Sequence, residues 1–184
     1  MEIIAENKYS QVYYDKEKNI YIKCFTPKLK KKIKYFFRLR KYPGENYNYI
    51  SKKIKELGIK TPKIISYDKY FCFTENIDGK LLTKIILEEP NNEKIRKYMD
   101  NYINIIRKII KNKIYYADFN FDNFIVYKEE LYIIDLEDYK KDIFFMFKKK
   151  KMLIHLKKTL FSYEKILKNK GIDYKEIYLR INKN

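Results

Sequence analysis

A chain of 184 residues that is 46% hydrophobic and 17% aromatic carries enough apolar surface for a real core, which excludes a disordered chain. Its formal net charge of +18, from 42 Lys and Arg against 24 Asp and Glu, implies a polyanionic partner, either nucleic acid or an anionic membrane surface. No run reaches the ~20 apolar residues of a membrane span. The acidic start, Met1-Glu2-Ile3-Ile4-Ala5-Glu6, does not read as a signal peptide. Cys24 and Cys72 lack metal or disulfide spacing and read as buried, reduced thiols of a cytosolic protein, while the lone His155 disfavours His-based metal sites and Ser/His triads.

In chain order, residues 2–7, 11–14 and 20–25 predict a β-meander, with Asp15-Lys16-Glu17-Lys18-Asn19 as a polar turn. Lys23 stands late in the third strand, either as an edge lysine facing water or as a cation reaching nucleotide phosphates. The glycine-free link Lys8-Tyr9-Ser10-Gln11 precedes the second strand. Residues 28–41 form a basic amphipathic segment: Leu29, Ile33, Phe36, Phe37 and Leu39 are interleaved with Lys28, Lys30, Lys31, Lys32, Lys34, Arg38, Arg40 and Lys41. That pattern is a solvated helix face or a membrane-surface signature. A helix is expected over 45–57, opened by Glu45 and stopped by Gly58, followed by strands at 63–67 and 70–75. The chain then leaves the sheet through Asn76-Ile77-Asp78-Gly79. Residues 92–112 carry the clearest helical stripe, from Ile95 and Met99 to Ile109 and Ile110. Leu153, Leu156, Leu160, Tyr163 and Leu167 predict a second long helix ended by Gly171, and a last short one begins at Asp173. The expected class is α+β: an antiparallel sheet with one main helix, then a mostly helical half.

The chemistry is concentrated between Tyr115 and Glu137. Asp118 and Asn123 lie five apart in a polar loop; the apolar run Phe124 to Tyr127, a turn at 128–130 and a second apolar run then lead to Asp135. Asp and Asn also serve ordinary turns. A hairpin, however, returns Asp135 to Asn123, so one carboxylate is available to take a hydroxyl proton while an amide and a second carboxylate hold Mg²⁺.

The series Lys23, Glu45, Glu75-Asn76-Ile77, Gly79, Asp118, Asn123, Asp135 resembles the protein-kinase-like fold in its small bacterial and atypical branch. Within it, the basic stretch after Lys23, the start Gly44-Glu45-Asn46-Tyr47-Asn48-Tyr49 and the brief C-terminal region resemble the lipopolysaccharide core heptose II kinases. Gly58-Ile59-Lys60-Thr61-Pro62 is similar to the atypical kinases of the RIO and Bud32 kind. The resemblance implies a single catalytic domain with an N-lobe at 1–78 and a C-lobe at 79–184. It implies Lys23 on the ATP phosphates, oriented by Glu45, with Ser10 in the covering turn and the backbone from Glu75 to Ile77 against adenine. It also implies Asp118 as the base and Asn123 with Asp135 on Mg²⁺. Three departures stand out: Tyr116 in place of a histidine, no Gly-rich loop, and Leu136-Glu137 where a glycine would follow the metal-binding aspartate.

The short span between Asp135 and the next helix leaves little room for a peptide-docking segment. The expected activity is therefore ATP- and Mg²⁺-dependent phosphorylation of a sugar, heptose in particular, of the lipopolysaccharide inner core. The acceptor would be reached from the cytoplasm by peripheral contact with an anionic membrane. The alternatives are a RIO- or Bud32-like kinase and a non-catalytic basic module binding nucleic acid, the last favoured by charge and tyrosines but without a recognisable motif.

Overall fold

The computed structural model describes residues 1–116, 118–137, 139–141 and 145–183. Ala117, between Tyr116 and Asp118 in the expected catalytic loop, lies outside the described residues.

Short runs rich in aromatic and β-branched residues, bounded by polar turns, build the first half into an antiparallel sheet. Strands β1 (Glu2–Asn7), β2 (Ser10–Asp15), β3 (Ile20–Phe25), β4 (Ile64–Tyr67) and β5 (Phe71–Glu75) stand in the order β1-β2-β3-β5-β4. β3 is therefore central, not an edge, and Lys23 sits between Val12 on β2 and Cys72 on β5. Burial pushes the Cys72 thiol up to about 12, so it behaves as a small hydrophobe beside the lysine.

Between β3 and β4 lie helices α1 (Leu29–Phe36) and α2 (Pro43–Glu56). Helix α2 lays Tyr47, Ile50 and Ile54 on the sheet. Its first turn rides on the β4–β5 turn, where a Cβ on Gly44 would lie 2.2 Å from the Asp68 carbonyl oxygen and 2.5 Å from that of Phe71. Only glycine allows so close an approach. Most apolar residues of α1 and of the 37–39 stretch after it stay outside the core. Tyr35 is buried, but Leu29, Ile33, Phe36, Phe37 and Leu39 are exposed, Leu39 and Phe36 by 77% and 76%. The helix ends early because Arg38 takes a left-handed φ of 53°.

After β5 the chain forms β6 (Lys80–Leu81), α3 (Leu82–Glu88), α4 (Asn92–Lys111), β7 (Ile114–Tyr115), β8 (Phe124–Tyr127), β9 (Glu130–Ile133), β10 (Lys140–Lys141), α5 (Phe145–Ser162), α6 (Glu164–Asn169) and α7 (Tyr174–Asn182). Gly79 lies so close to β8 that a Cβ would sit 2.4 Å from the Val126 carbonyl oxygen. Helix α4 starts where Asn91 accepts the N–H groups of Glu93 and Lys94, and its stripe Ile95, Met99, Tyr102, Ile103, Ile106 and Ile109 is buried. Ile110, expected on the same stripe, is half-buried.

The single helix expected to carry Leu153 to Leu167 is instead two. The Tyr163 N–H bonds to the Leu160 carbonyl three residues back, at 3.1 Å, and its ring packs 4.4 Å from Phe121. The bend keeps Leu156, Leu160 and Leu167 buried on both sides of it. Asp173 caps α7 by accepting the Lys175 N–H at 2.8 Å. No helix among the described residues is long and apolar enough to cross a membrane.

Candidate active site

The cleft is built where β3, α2 and the hairpin β8–β9 meet. The paired strands set Phe124 opposite Ile133, and the Ile134 N–H bonds to the Asn123 carbonyl at 2.9 Å. Asp135 thus returns to the turn that holds Asn123. Its φ of 58° is left-handed, a conformation that costs a non-glycine residue energy and persists only where surrounding contacts impose it.

Those contacts come from the N-terminal half. The Lys23 ammonium lies 2.6 Å from Asp135 Oδ1 and 3.0 Å from Glu137 Oε2. Burial pulls the Lys23 pKa down, but the charges of Asp135 and Glu137 outweigh it and hold the ammonium above its ordinary value. The buried Tyr47 hydroxyl sits against the backbone of Asp135 and Leu136; burial and the nearby Asp135 charge push its pKa up. Asn46, also buried, donates to the Tyr139 carbonyl at 2.9 Å and to the Glu137 carbonyl at 3.4 Å.

The expected pairing of Glu45 with Lys23 is not what the structure shows. Glu45 occupies the third position of α2, and its Oε2 accepts the Tyr42 N–H at 3.2 Å. A helix turns about 100° per residue, so when Glu45 reaches back to cap the helix, the cleft face falls to Asn46 and Tyr47. Glu137 takes the lysine instead. A double-mutant cycle on Lys23→Met and Glu137→Gln, read by chemical denaturation, should give a coupling of about 1–3 kcal/mol. The same cycle with Glu45→Gln should give no more than about 0.3 kcal/mol, and the reverse order would return Glu45 to its expected role.

The loop of Asp118 is fixed from below. The Tyr102 hydroxyl of α4 donates to the Phe119 carbonyl at 2.9 Å, with its ring edge-on to Phe121 and Phe124. Phe121–Asn123 is a 3₁₀ turn. Asp118 Oδ1 accepts the Asn120 N–H at 3.3 Å, and the Asn123 amide donates to the Asp118 carbonyl at 3.4 Å. With its NH₂ group so used, Asn123 has its amide oxygen for a cation. The histidine position is filled by Tyr116, fully buried and stacked on Tyr139 with ring centroids 3.8 Å apart. Burial pushes the Tyr116 hydroxyl pKa up.

The remaining expected residues have local roles that are now visible. In the β1–β2 turn, Asn7 Oδ1 accepts the N–H groups of Tyr9 and Ser10, and the Asn7 amide donates to Ser10 Oγ at 3.0 Å. An asparagine-built turn stands where glycines were lacking. Glu75 engages Lys63 twice: its N–H meets the Lys63 carbonyl at 3.0 Å, and its Oε1 accepts the Lys63 N–H at 2.7 Å. Ile77 is buried, and its carbonyl accepts the Gly79 N–H at 2.8 Å.

Asn123 and Asp135 are hard oxygen donors. Among the described residues no cluster of three or more His, Cys, Asp or Glu forms a metal cage. One carboxylate and one amide suit Mg²⁺, which shares its coordination with phosphates and water. The residues therefore fit the expected ion.

A family model for the RIO domain matches residues 12–141. The chain belongs to the RIO domain family. The matched span of this RIO domain holds Lys23, Glu45, Glu75, Ile77, Asp118, Asn123, Asp135 and Glu137; Ser10 and helices α5 to α7 fall outside it. Its fold is that of WaaP, solved in complex with acyl carrier protein, at a TM-score of 0.65 and 12% identity over 97% of this chain and 78% of that one. It is likewise similar to the Rio2 kinase-ADP/Mg²⁺-phosphoaspartate complex from Chaetomium thermophilum, at a TM-score of 0.61 and 13% identity over all of this chain and 62% of that one. No curated protein matches this RIO domain. At this coarser level the chain has a kinase-like phosphotransferase fold, with an N-terminal antiparallel sheet and a helical C-terminal part.

Nothing in the sequence marks Asn46 as a site residue. Glu137 carries a sequence signal, an acid two residues after Asp135 in a stretch without glycine.

Proposed function

We propose that this RIO domain is one catalytic unit, with lobes at 1–78 and 79–184, that transfers the γ-phosphoryl group of ATP to a sugar hydroxyl of the lipopolysaccharide inner core. The observation that carries the phosphotransferase reading is the contact of 2.6 Å between Lys23 and Asp135, which ties the sheet to the hairpin across a gap of 112 residues. Lys23 would meet the α/β-phosphates, positioned by Glu137, and the backbone from Glu75 to Ile77 would border adenine. Ser10 and its turn would cover the phosphates. Asp118 would take the proton as the acceptor oxygen bonds to the γ-phosphorus and the bond to the bridging oxygen of ADP breaks. Mg²⁺, held by Asn123 and Asp135, would neutralise charge on the phosphates.

The acceptor assignment rests on α1. Exposed Leu29, Ile33, Phe36, Phe37 and Leu39 stand among eight basic residues of the 28–41 segment. Such a surface suits an anionic membrane, whose headgroups take the charge while the apolar side chains enter the boundary. The protein would then work at the cytoplasmic face of the inner membrane. Phe36→Ser/Phe37→Ser should cut transfer to a core glycolipid in anionic vesicles by about ten-fold. It should leave transfer to the soluble core oligosaccharide within about two-fold, because buried apolar area acts only at the membrane. Equal loss on both acceptors would remove the membrane role.

The second reading is a RIO-like kinase acting on a protein or nucleoprotein partner, and the family match over residues 12–141 favours it. Transfer from labelled ATP to such a partner, with none to core sugar, would select it. A non-catalytic nucleic-acid module is the weaker rival, since it leaves Asp118, Asn123 and Asp135 without work.

A further inference from the structure

Between α1 and the first turn of α2 is a cavity of about 160 Å³ bordered by Lys28, Lys31, Arg40 and Lys41. Lys31 and Arg40 are half-buried, and among the described residues neither is paired with a carboxylate. Lys28 and Lys41 each lie over a ring, 4.6 Å from Tyr9 and 5.1 Å from Tyr49. Glu137 on the inner wall is held by Lys23. The half-buried Lys31 and Arg40 repel one another and the exposed Lys28 and Lys41 beside them, and their partial burial strengthens the repulsion by lowering the local dielectric. An anion inside relieves it. An arginine fork with flanking ammonium groups suits tetrahedral phosphate. The volume is well below the ~300 Å³ at which pockets begin to take drug-sized ligands, so it suits a phosphate group and not a whole nucleotide.

We propose that this cavity is a phosphate subsite that binds a phosphomonoester already carried by the acceptor. The link to the acceptor rests on the phosphotransferase reading; binding of the phosphate group does not. Because Glu137 forms both the cavity wall and part of the Lys23 pair, the subsite adjoins the nucleotide lysine without sharing it.

The test is calorimetric titration of the full chain with inorganic phosphate, mannose 6-phosphate and Mg²⁺-ATP. Wild type should bind both phosphates saturably. Arg40→Gln/Lys31→Gln should weaken both by ten-fold or more and change Mg²⁺-ATP binding by less than two-fold. The distant basic pair Lys108→Gln/Lys111→Gln should keep phosphate binding within two-fold. Arg40→Lys keeps the charge and should retain binding to within five-fold, which separates charge from damage to the fold; circular dichroism checks each variant. Absence of phosphate binding in wild type, or equal loss in the distant pair, would overturn the subsite. Binding of inorganic phosphate with rejection of mannose 6-phosphate would overturn its assignment to an acceptor. Intact phosphate binding with no Mg²⁺-ATP binding would remove the phosphotransferase reading and leave the subsite standing.

Discussion

Asp135→Asn is expected to abolish most of the stabilisation that Mg²⁺-ATP should give the folded protein. A ligand bound only to the native state, at 100 times its Kd, adds about 2.7 kcal/mol to stability, an effect readily seen as a rise in melting temperature. Asparagine tolerates the left-handed φ of 58° that Asp135 adopts, so the substitution removes the charge while keeping the backbone. Alanine at the same position adds backbone strain and is the poorer probe. The variant without nucleotide should lose only about 1–2 kcal/mol: Asp135 is 40% exposed, and Glu137 still neutralises Lys23 at 3.0 Å. Differential scanning fluorimetry with and without Mg²⁺-ATP separates the two effects. An undiminished shift in the variant would mean that Asp135 does not hold the metal.

Asp118→Asn should have the opposite profile, with nucleotide binding kept and turnover lost. General-base removal costs on the order of 10²–10⁴ in rate. Asparagine keeps an oxygen for the Asn120 N–H, now at 3.3 Å from Asp118 Oδ1, so the loop held by Tyr102 should survive. The measurement is the rate of phosphate transfer beside the Mg²⁺-ATP thermal shift in the same preparation. Unchanged turnover would take Asp118 out of the chemistry, and parallel loss of the thermal shift would make it a binding residue.

The two profiles separate because the residues belong to different ends of the hairpin. Asp135 closes it and is tied to the sheet through Lys23; Asp118 precedes it and is tied to α4 through Phe119.

Much of this arrangement is written locally. Apolar and aromatic runs bounded by polar turns mark the five strands of the first half, and the helical stripe from Ile95 to Ile109 marks α4, because its buried face recurs at a fixed spacing along the chain. The order Asp118, Asn123, Asp135 was legible because two short strands with a tight turn must bring their ends together. The break at Tyr163 was not, since its ring is drawn to Phe121, a residue 42 positions away along the chain.

The sheet-then-helix order, the hairpin and the spacing of Asp118, Asn123 and Asp135 follow from local pattern and short-range chain return. Contacts between distant segments put Lys23 on the central strand, give it to Glu137 and not Glu45, and leave Leu29, Ile33 and Phe36 of α1 exposed. Those outcomes depend on which helix face meets the cleft. A rotation of one residue, about 100°, moves that choice from Glu45 to Asn46, and it is settled by packing between segments far apart in the chain.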